Sequence, residues 1–391
     1  MINRSFILSS MLVPWTLIAP ASAAAAAAVT FASPQVLNTT GLHPTALALG
    51  DFNGTGRRDI AVSFSNGTQT LLDNRTIGTP GPRVSSRESS PLRVEGGGGV
   101  AVLGDFDRDN IDDWTFSNFA LKQIVIFGGG ASPLSLSRTM PRSPLGIQLA
   151  DVDADGNLDA VIGYDANVAS LMRGTGNGSL APAVDIAVGG GPLLVVSDVN
   201  GDGALDIAAV ATQGPRVFAA TGSGAGTFAP PNVIADLPES ASSFVEGLAA
   251  RAIRASELPT LAISVRDNAA NRSRLYVLRG GDSGAQATAL RESAGHLHAT
   301  FADIDRDGAG DLVVADSASN RVSVFRGNPD GTWPLVTTVE LQSVTMTAMV
   351  AGDVSGDGVA DVIVASDDGK VTVYVNTTTS SPSSRRRAAR H

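Results

Sequence analysis

Residues 151–160 read DVDADGNLDA, with acidic groups at positions 1, 3, 5 and 9 of the stretch and a glycine at position 6. The four carboxylates of Asp151, Asp153, Asp155 and Asp159 lie so close in sequence that they repel one another unless a cation sits between them. Alternating oxygen ligands around a glycine turn have the form of a hard-cation loop, in which side-chain and carbonyl oxygens converge on Ca²⁺. One such stretch arises by chance, so its meaning depends on whether it recurs.

It recurs in phase. Asp198, Asn200, Asp202 and Asp206 repeat the pattern around Gly203, and Asp303, Asp305, Asp307 and Asp311 repeat it around Gly308. Asp353, Ser355, Asp357 and Asp361 keep it with serine at the third position. Asp105, Asp107, Asp109 and Asp113 keep it with Asn110 in the glycine place, a mild exchange because Asn tolerates positive φ. The weakest copy is Asp51, Asn53 and Asp59, with Thr55 at the fifth position. The loops start at 51, 105, 151, 198, 303 and 353, so the step from 198 to 303 is twice the usual one and hides a unit near 250. The text there is GLAARAIRASELPTLAISV, which puts Ala252, Arg254, Ser256 and Thr260 at the ligand positions. This unit keeps its strands and is expected to bind no metal, giving seven units and about six Ca²⁺ sites.

Each unit has the same order. A short apolar strand (ALALGDF, VAVLGDF, LLVVSDV) leads into the acidic loop, and a second strand (DIAVSF, DAVIGY, DLVVAD) leaves it. A turn, a third strand (QIVIFGG, RVSVFRG), a glycine-rich turn and a fourth strand complete the unit. β-rich runs bounded by Gly, Asn and Asp mark strands and turns, and four strands in about 40–50 residues make a propeller blade. The last unit stops after its third strand, at Asn376, while residues 30–37, TFASPQVL, match residues 227–234, TFAPPNVI, of a fourth strand. The expected fold is therefore all-β, a seven-bladed β-propeller of four-stranded blades, its ring closed by the N-terminal strand, which removes an open sheet edge.

GDFNGTGRRDIAV, DVDADGNLDAVIG and ADIDRDGAGDLVVA, with GSGAGTFAPPNVI between loops, resemble the FG-GAP or VCBS repeat over about residues 29–376. That resemblance implies an integrin-α-like propeller whose loops join the first and second strands of each blade and bind Ca²⁺. The fifth unit and Thr55 depart from the pattern.

The remaining composition narrows the function. A formal net charge of −10 argues against general nucleic-acid binding, which needs a basic face. Residues 1–23 have Arg4, a short apolar run and Ala21-Ser22-Ala23, as in a secretory signal peptide, so the mature chain, 24–376 as propeller, is expected outside the cytoplasm (extracellular or periplasmic). No later stretch is apolar and long enough to cross a membrane. The chain has no cysteine, so it needs a staple other than disulfides, and bound metal would serve. Residues 377–391 read as a disordered basic tail.

Oxygen donors without Cys or nearby His favour Ca²⁺ over zinc, and the strict geometry and retained waters of Mg²⁺ suit these loops less. An EF-hand would need Glu at position 12 and flanking helices, whereas position 12 is Ile162, Ala209 or Val314 between strands. His296 and His298 form an H-x-H that, with His43, sits before or within first strands; a surface or channel position is the simpler reading. No nucleophile elbow or zinc-protease motif is present. Asn-x-Ser/Thr sequons occur, Asn74 and Asn376 among them. The expected function is a monomeric, non-catalytic module of lectin-like or adhesion type that recognises an extracellular glycan or protein. The alternative is an extracellular carbohydrate-active or ester-cleaving enzyme built on the same propeller, with His, Arg and Tyr converging in one pocket.

Overall fold

The structure, a computed structural model, describes residues 28–39, 43–74, 86–88, 92–93, 100–130, 134–211, 214–240, 242–251, 260–279, 286–342 and 345–379. Residues 1–23, expected to be a signal peptide, lie outside them. Among the described residues every regular element is a strand, and no helix is long and apolar enough to cross a membrane.

Seven antiparallel sheets follow one another along the chain. Blade 2 contains Ala101–Gly104, Asp113–Asn118, Gln123–Phe127 and Ser135–Thr139. Blade 3 contains Gly146–Ala150, Asp159–Gly163, Val168–Met172 and Val184–Ala187. Blade 4 contains Leu194–Ser197, Asp206–Val210, Arg216–Ala220 and Asn232–Asp236. Blade 5 contains Phe244–Ala250, Thr260–Asp267, Arg272–Arg279 and Gln286–Ser293, and blade 6 contains Leu297–Ala302, Asp311–Asp316, Arg321–Phe325 and Leu335–Glu340. Blade 1 has Pro44–Gly50, Asp59–Phe64 and Thr68–Asn74, and its fourth strand is split into Ser86–Glu88 and Leu92–Arg93, both paired with the third.

Blade 7 shows the closure. Met346–Gly352, Asp361–Ser366 and Lys370–Tyr374 come from the end of the chain, and Gln35–Asn38 supplies the outer strand in register Gln35↔Val373 to Asn38↔Lys370. Phe31 bridges Asn376 as Phe228 bridges Gly222 in blade 4, so the likeness of TFASPQVL to TFAPPNVI has a structural counterpart. The first strands of neighbouring blades touch all the way round, including that of blade 7 against that of blade 1. Thr377 and Thr378, expected at the start of the tail, are instead tied to Thr30: the Thr377 N–H donates to the Thr30 carbonyl at 2.8 Å and Thr378 Oγ1 accepts the Thr30 N–H at 3.1 Å.

The second strands explain the packing. DIAVSF, DAVIG, DLVVAD and DVIVAS are buried along their whole length. A strand sandwiched between two neighbouring sheets reads as a continuous apolar run rather than an alternating one. Outer strands such as Val184–Ala187 are largely exposed. Seven apolar clusters result, one at each blade-to-blade seam; the seam between blades 7 and 1 joins Ile363, Val371 and Val373 to Ile60, Val62 and Phe64, with Leu37 of the closing strand against them. In blades 1–4, 6 and 7 the turns from first to second strand are the acidic loops, and the matching antiparallel topology of these blades puts them on one face of the ring.

Candidate metal centres

All six acidic loops share one backbone shape. The sixth position has positive φ in each: Gly56, Asn110, Gly156, Gly203, Gly308 and Gly358, with Asn110 at 67°. The fourth position does too, at Gly54, Arg108, Ala154, Gly201, Arg306 and Gly356. Arg108, Ala154 and Arg306 hold a conformation that disfavours any Cβ, at 62°, 57° and 61°, a feature that sequence reasoning misses because those side chains do not announce it.

Position 1 turns the loop on itself. Its carboxylate accepts the N–H of position 6: Asp51 from Gly56, Asp105 from Asn110, Asp151 from Gly156, Asp198 from Gly203 and Asp353 from Gly358, at 2.6–2.9 Å. Position 5 faces the chain instead. Asp109, Asp155, Asp202, Asp307 and Asp357 accept the N–H two residues on, at 2.7–2.9 Å.

Position 9 is a clamp. Asp59, Asp113, Asp159, Asp206, Asp311 and Asp361 are fully buried. One oxygen of each accepts the N–H of position 2 (Phe52, Phe106, Val152, Val199, Ile304, Val354) at 2.8–3.0 Å. The other accepts an N–H at the end of the third strand, from Asn74, Gly129, Gly174, Gly222, Gly327 or Asn376, at 2.6–3.0 Å. These carboxylates tie loop, second strand and third strand together, whether or not they also reach an ion. Asn74 and Asn376 are buried within this clamp, so the folded protein does not expose the asparagines of those two sequons.

Three loops gather carboxylates closely. Asp105, Asp107 and Asp113, then Asp151, Asp153 and Asp159, then Asp303, Asp305 and Asp311, each bring one oxygen apiece within 4.8 Å of the others. These are positions 1, 3 and 9. Asn200 Nδ2 donates to Asp202 at 2.9 Å, and Ser355 Oγ donates to Asp353 at 3.4 Å. Asn53 Nδ2 donates to Asp59 at 2.9 Å and also to Asp73, so its amide carbonyl is the group left to accept, here from the Thr55 N–H at 2.9 Å. The donor set suits a hard cation: it is all oxygen, and in loop 3 the buried Asp153 Oδ1 has no hydrogen-bond partner among the described residues. In the fifth unit Ala252, Arg254 and Ser256 lie outside the described residues, while Thr260 opens the second strand where the other blades have aspartate.

Guanidinium groups sit around the loops. Arg173 Nε is 3.0 Å from Asp153 Oδ2, and Arg326 Nε donates to Asp305 Oδ2. Arg57 and Arg306 donate to the Ser355 and Asp357 carbonyls of loop 7, and Asp112 Oδ2 accepts the Asp51 N–H at 2.8 Å. Neighbouring loops are thus joined to one another as well as to their own blades.

Burial raises the clamp carboxyls. Desolvation pushes Asp59 and Asp311 up to about 7 and Asp113 and Asp361 up to about 6, against the opposing pull of their backbone N–H partners. Asp159 and Asp206 move upward for the same reason. In metal-free protein the folded state therefore holds protons that the unfolded chain, with carboxyls near 4, has released. The clamp's contribution to stability is full below about pH 4 and is lost as pH rises through about 6–7. Exposed Asp155, Asp330 and Asp368, whose values are lowered, act with the opposite sign below that window. Melting of metal-free protein is expected at a lower temperature at about pH 7.5 than at about pH 4.5; a melting temperature that rises over this range would mean the clamps are ionised in the fold.

The histidines do not form a compact metal cluster among the described residues. His296 Nδ1 pairs with Glu246 Oε1 on the first strand of blade 5, and Glu246 Oε2 accepts from Ser273 Oγ at 2.9 Å. Burial holds His298 below the ordinary imidazole value, with Glu246 opposing. His43 pairs with Asp367 of blade 7. Two cavities open at the seam of blades 3 and 4. One, of about 720 Å³, is lined by Leu171, Arg173, Val184, Ile186, Phe228 and Pro230 among others. The other, of about 540 Å³, includes Asn167, Arg216, Phe218, Asp236 and Glu239.

Residues 303–364, which include the acidic loops of blades 6 and 7, match the model of the FG-GAP-like repeat. In structure the chain is similar to one in crystals of BBS1N in complex with ARL6DN soaked with mercury, with a TM-score of 0.61, 12% identity, and coverage of 90% of this chain and 97% of that one. The lead-soaked crystals of the same complex give 0.59 and 11% over the same shares. At this identity the likeness is one of fold. No curated protein sequence matches the chain.

Proposed function

We propose that this FG-GAP-like propeller is a secreted, calcium-stabilised, non-catalytic binding module that recognises an extracellular glycan or protein. The observation that carries the calcium part is the gathering of Asp105, Asp107 and Asp113, and of the matching residues in loops 3 and 6, to within 4.8 Å. A bound divalent cation supplies positive charge to carboxylates that otherwise repel. The chain's own part is to hold them: positive φ at positions 4 and 6 turns the loop, and the position-9 carboxylate fixes it to the third strand.

Recognition is best served by the seam of blades 3 and 4. Its larger cavity combines an apolar floor of Leu171, Ile186 and Phe228 with Arg173 and Asp185 at hand, the mixture that binding sites use. BBS1N, which has a similar fold, forms a complex with ARL6DN, which supports propeller surfaces as docking platforms in general. The enzyme reading draws less support. The Tyr164 hydroxyl donates to Ser170 Oγ at 2.9 Å, that of Tyr276 to Glu239, and that of Tyr374 accepts the Gln342 N–H, so each tyrosine serves the framework. Screening the mature protein on glycan and protein arrays, in Ca²⁺ and in chelator, tests the reading. Selective capture in Ca²⁺, abolished by Phe228→Ala at the seam, is expected; turnover of a glycan or ester without retention would favour the enzyme.

A further inference from the structure

In each blade one residue stands just before the backbone N–H that reaches the position-9 carboxylate. Around the ring these strand-end residues are Asp73, Gly128, Arg173, Thr221, Arg326 and Val375, with Arg279 opposite Thr260 in blade 5. Where the side chain is long enough, it lands on position 3 of its own loop: Asp73 on Asn53, Arg173 on Asp153 and Arg326 on Asp305.

Its charge complements that of the loop. Loops 3 and 6 carry four carboxylates at positions 1, 3, 5 and 9, and there the strand-end residue is arginine. Loops 4 and 7 carry three, and there it is uncharged Thr221 or Val375. Loop 1 carries only Asp51 and Asp59, because Asn53 and Thr55 fill the other places, and there it is Asp73. Counted over positions 1, 3, 5 and 9 and the strand-end residue alone, leaving out Arg57, Arg58 and Arg306 at the other loop positions, all five sum to −3, and loop 2, with four carboxylates and Gly128, is the exception. In blade 5, which lacks the aspartate at position 9, Arg279 turns to the Pro329 carbonyl of blade 6.

We propose that the strand-end residue sets the cation affinity of its own blade: Asp73 supplies loop 1 with the carboxylate that Thr55 lacks, and Arg173 and Arg326 are positioning residues that offset one charge in loops 3 and 6. This rests on the metal reading above. Cation affinity follows the number of ligand charges and the rigidity of the site, and partners behind the ligands orient them. Asp73 is buried, with 7% of its surface exposed, and it shares the Asn53 amide with Asp59, so it stands at the ligand side of the loop. Arg173 holds Asp153 by Oδ2, and the buried Oδ1 is left without a hydrogen bond.

The test is calcium titration of the full chain in competition with a chromophoric chelator, using wild type, Asp73→Asn, Arg173→Gln and Arg173→Lys, with folding checked by circular dichroism. Asp73→Asn is expected to weaken one site by about 10–100-fold. Arg173→Gln is expected to tighten one site by about tenfold by removing a nearby positive charge, and Arg173→Lys to stay near wild type. A merely structural arginine would give the opposite sign, since loosening the loop weakens binding. If wild type binds Ca²⁺ but Arg173→Gln weakens a site, or neither Asp73→Asn nor Arg173→Gln moves one, the proposal fails and the metal reading stands. If wild type binds no divalent cation, the metal reading fails and takes the proposal with it.

Discussion

Removing the chain up to Leu37 is expected to destabilise the whole ring. Gln35–Asn38 is the outer strand of blade 7. Its loss exposes the N–H and C=O groups of Lys370–Tyr374 along an open edge, a template for pairing with other chains. The deletion also takes away Val29, Phe31, Ala32 and Leu37 from the seams on either side of blade 7, and the bonds from Thr30 to Thr377 and Thr378. Apolar burial at about 1.5–3 kcal/mol per large side chain puts the loss on the order of 5 kcal/mol. Melting is expected roughly 10 °C earlier, with aggregation visible by light scattering. An unchanged melting temperature in a monodisperse truncated protein would rule out closure by this strand.

Metal removal is the second large effect. Twenty-one of the 38 acidic residues lie in the six loops, and no cysteine is present to cross-link the blades. At free Ca²⁺ about 100 times Kd, an independent site stabilises the fold by about 2.7 kcal/mol, so several sites together outweigh the net stability of an ordinary domain, about 5–15 kcal/mol. Excess chelator at neutral pH is expected to lower the melting temperature substantially, and added Ca²⁺ to restore it before aggregation sets in. Asp153→Ala should lower stability in Ca²⁺ by at most about 2.7 kcal/mol plus local strain, and by much less in chelator. Equal melting of wild type in Ca²⁺ and in chelator would remove the staple.

Much of this was legible in the sequence because repetition amplifies weak signals. The runs DIAVSF, DAVIG and DVIVAS read as second strands, and all form strands there, buried along their whole length. Asn110 read as a stand-in for glycine and holds positive φ. What stayed hidden depends on groups far apart in sequence or on chemistry that side-chain identity does not reveal. In the sequence, aspartate at position 9 looks like any other candidate ligand, and only the third-strand N–H groups fifteen or sixteen residues away reveal that it is also a clamp. The strand-end residues escaped notice because Arg173 lies beyond a whole strand and turn from Asp153. The left-handed backbone at Arg108, Ala154 and Arg306 is imposed by the loop, against their intrinsic preference. Blade 1's outer strand breaks in two where the pattern led one to expect a single strand.

The direct test is an ion count. Mature protein equilibrated with Ca²⁺, passed through a chelator-treated gel-filtration column and analysed by plasma emission should retain about six calcium ions per chain, or slightly fewer if loop 1 is weak. A chain that retains none, and binds none in equilibrium dialysis at millimolar Ca²⁺, would contradict the assignment of the acidic loops as metal centres.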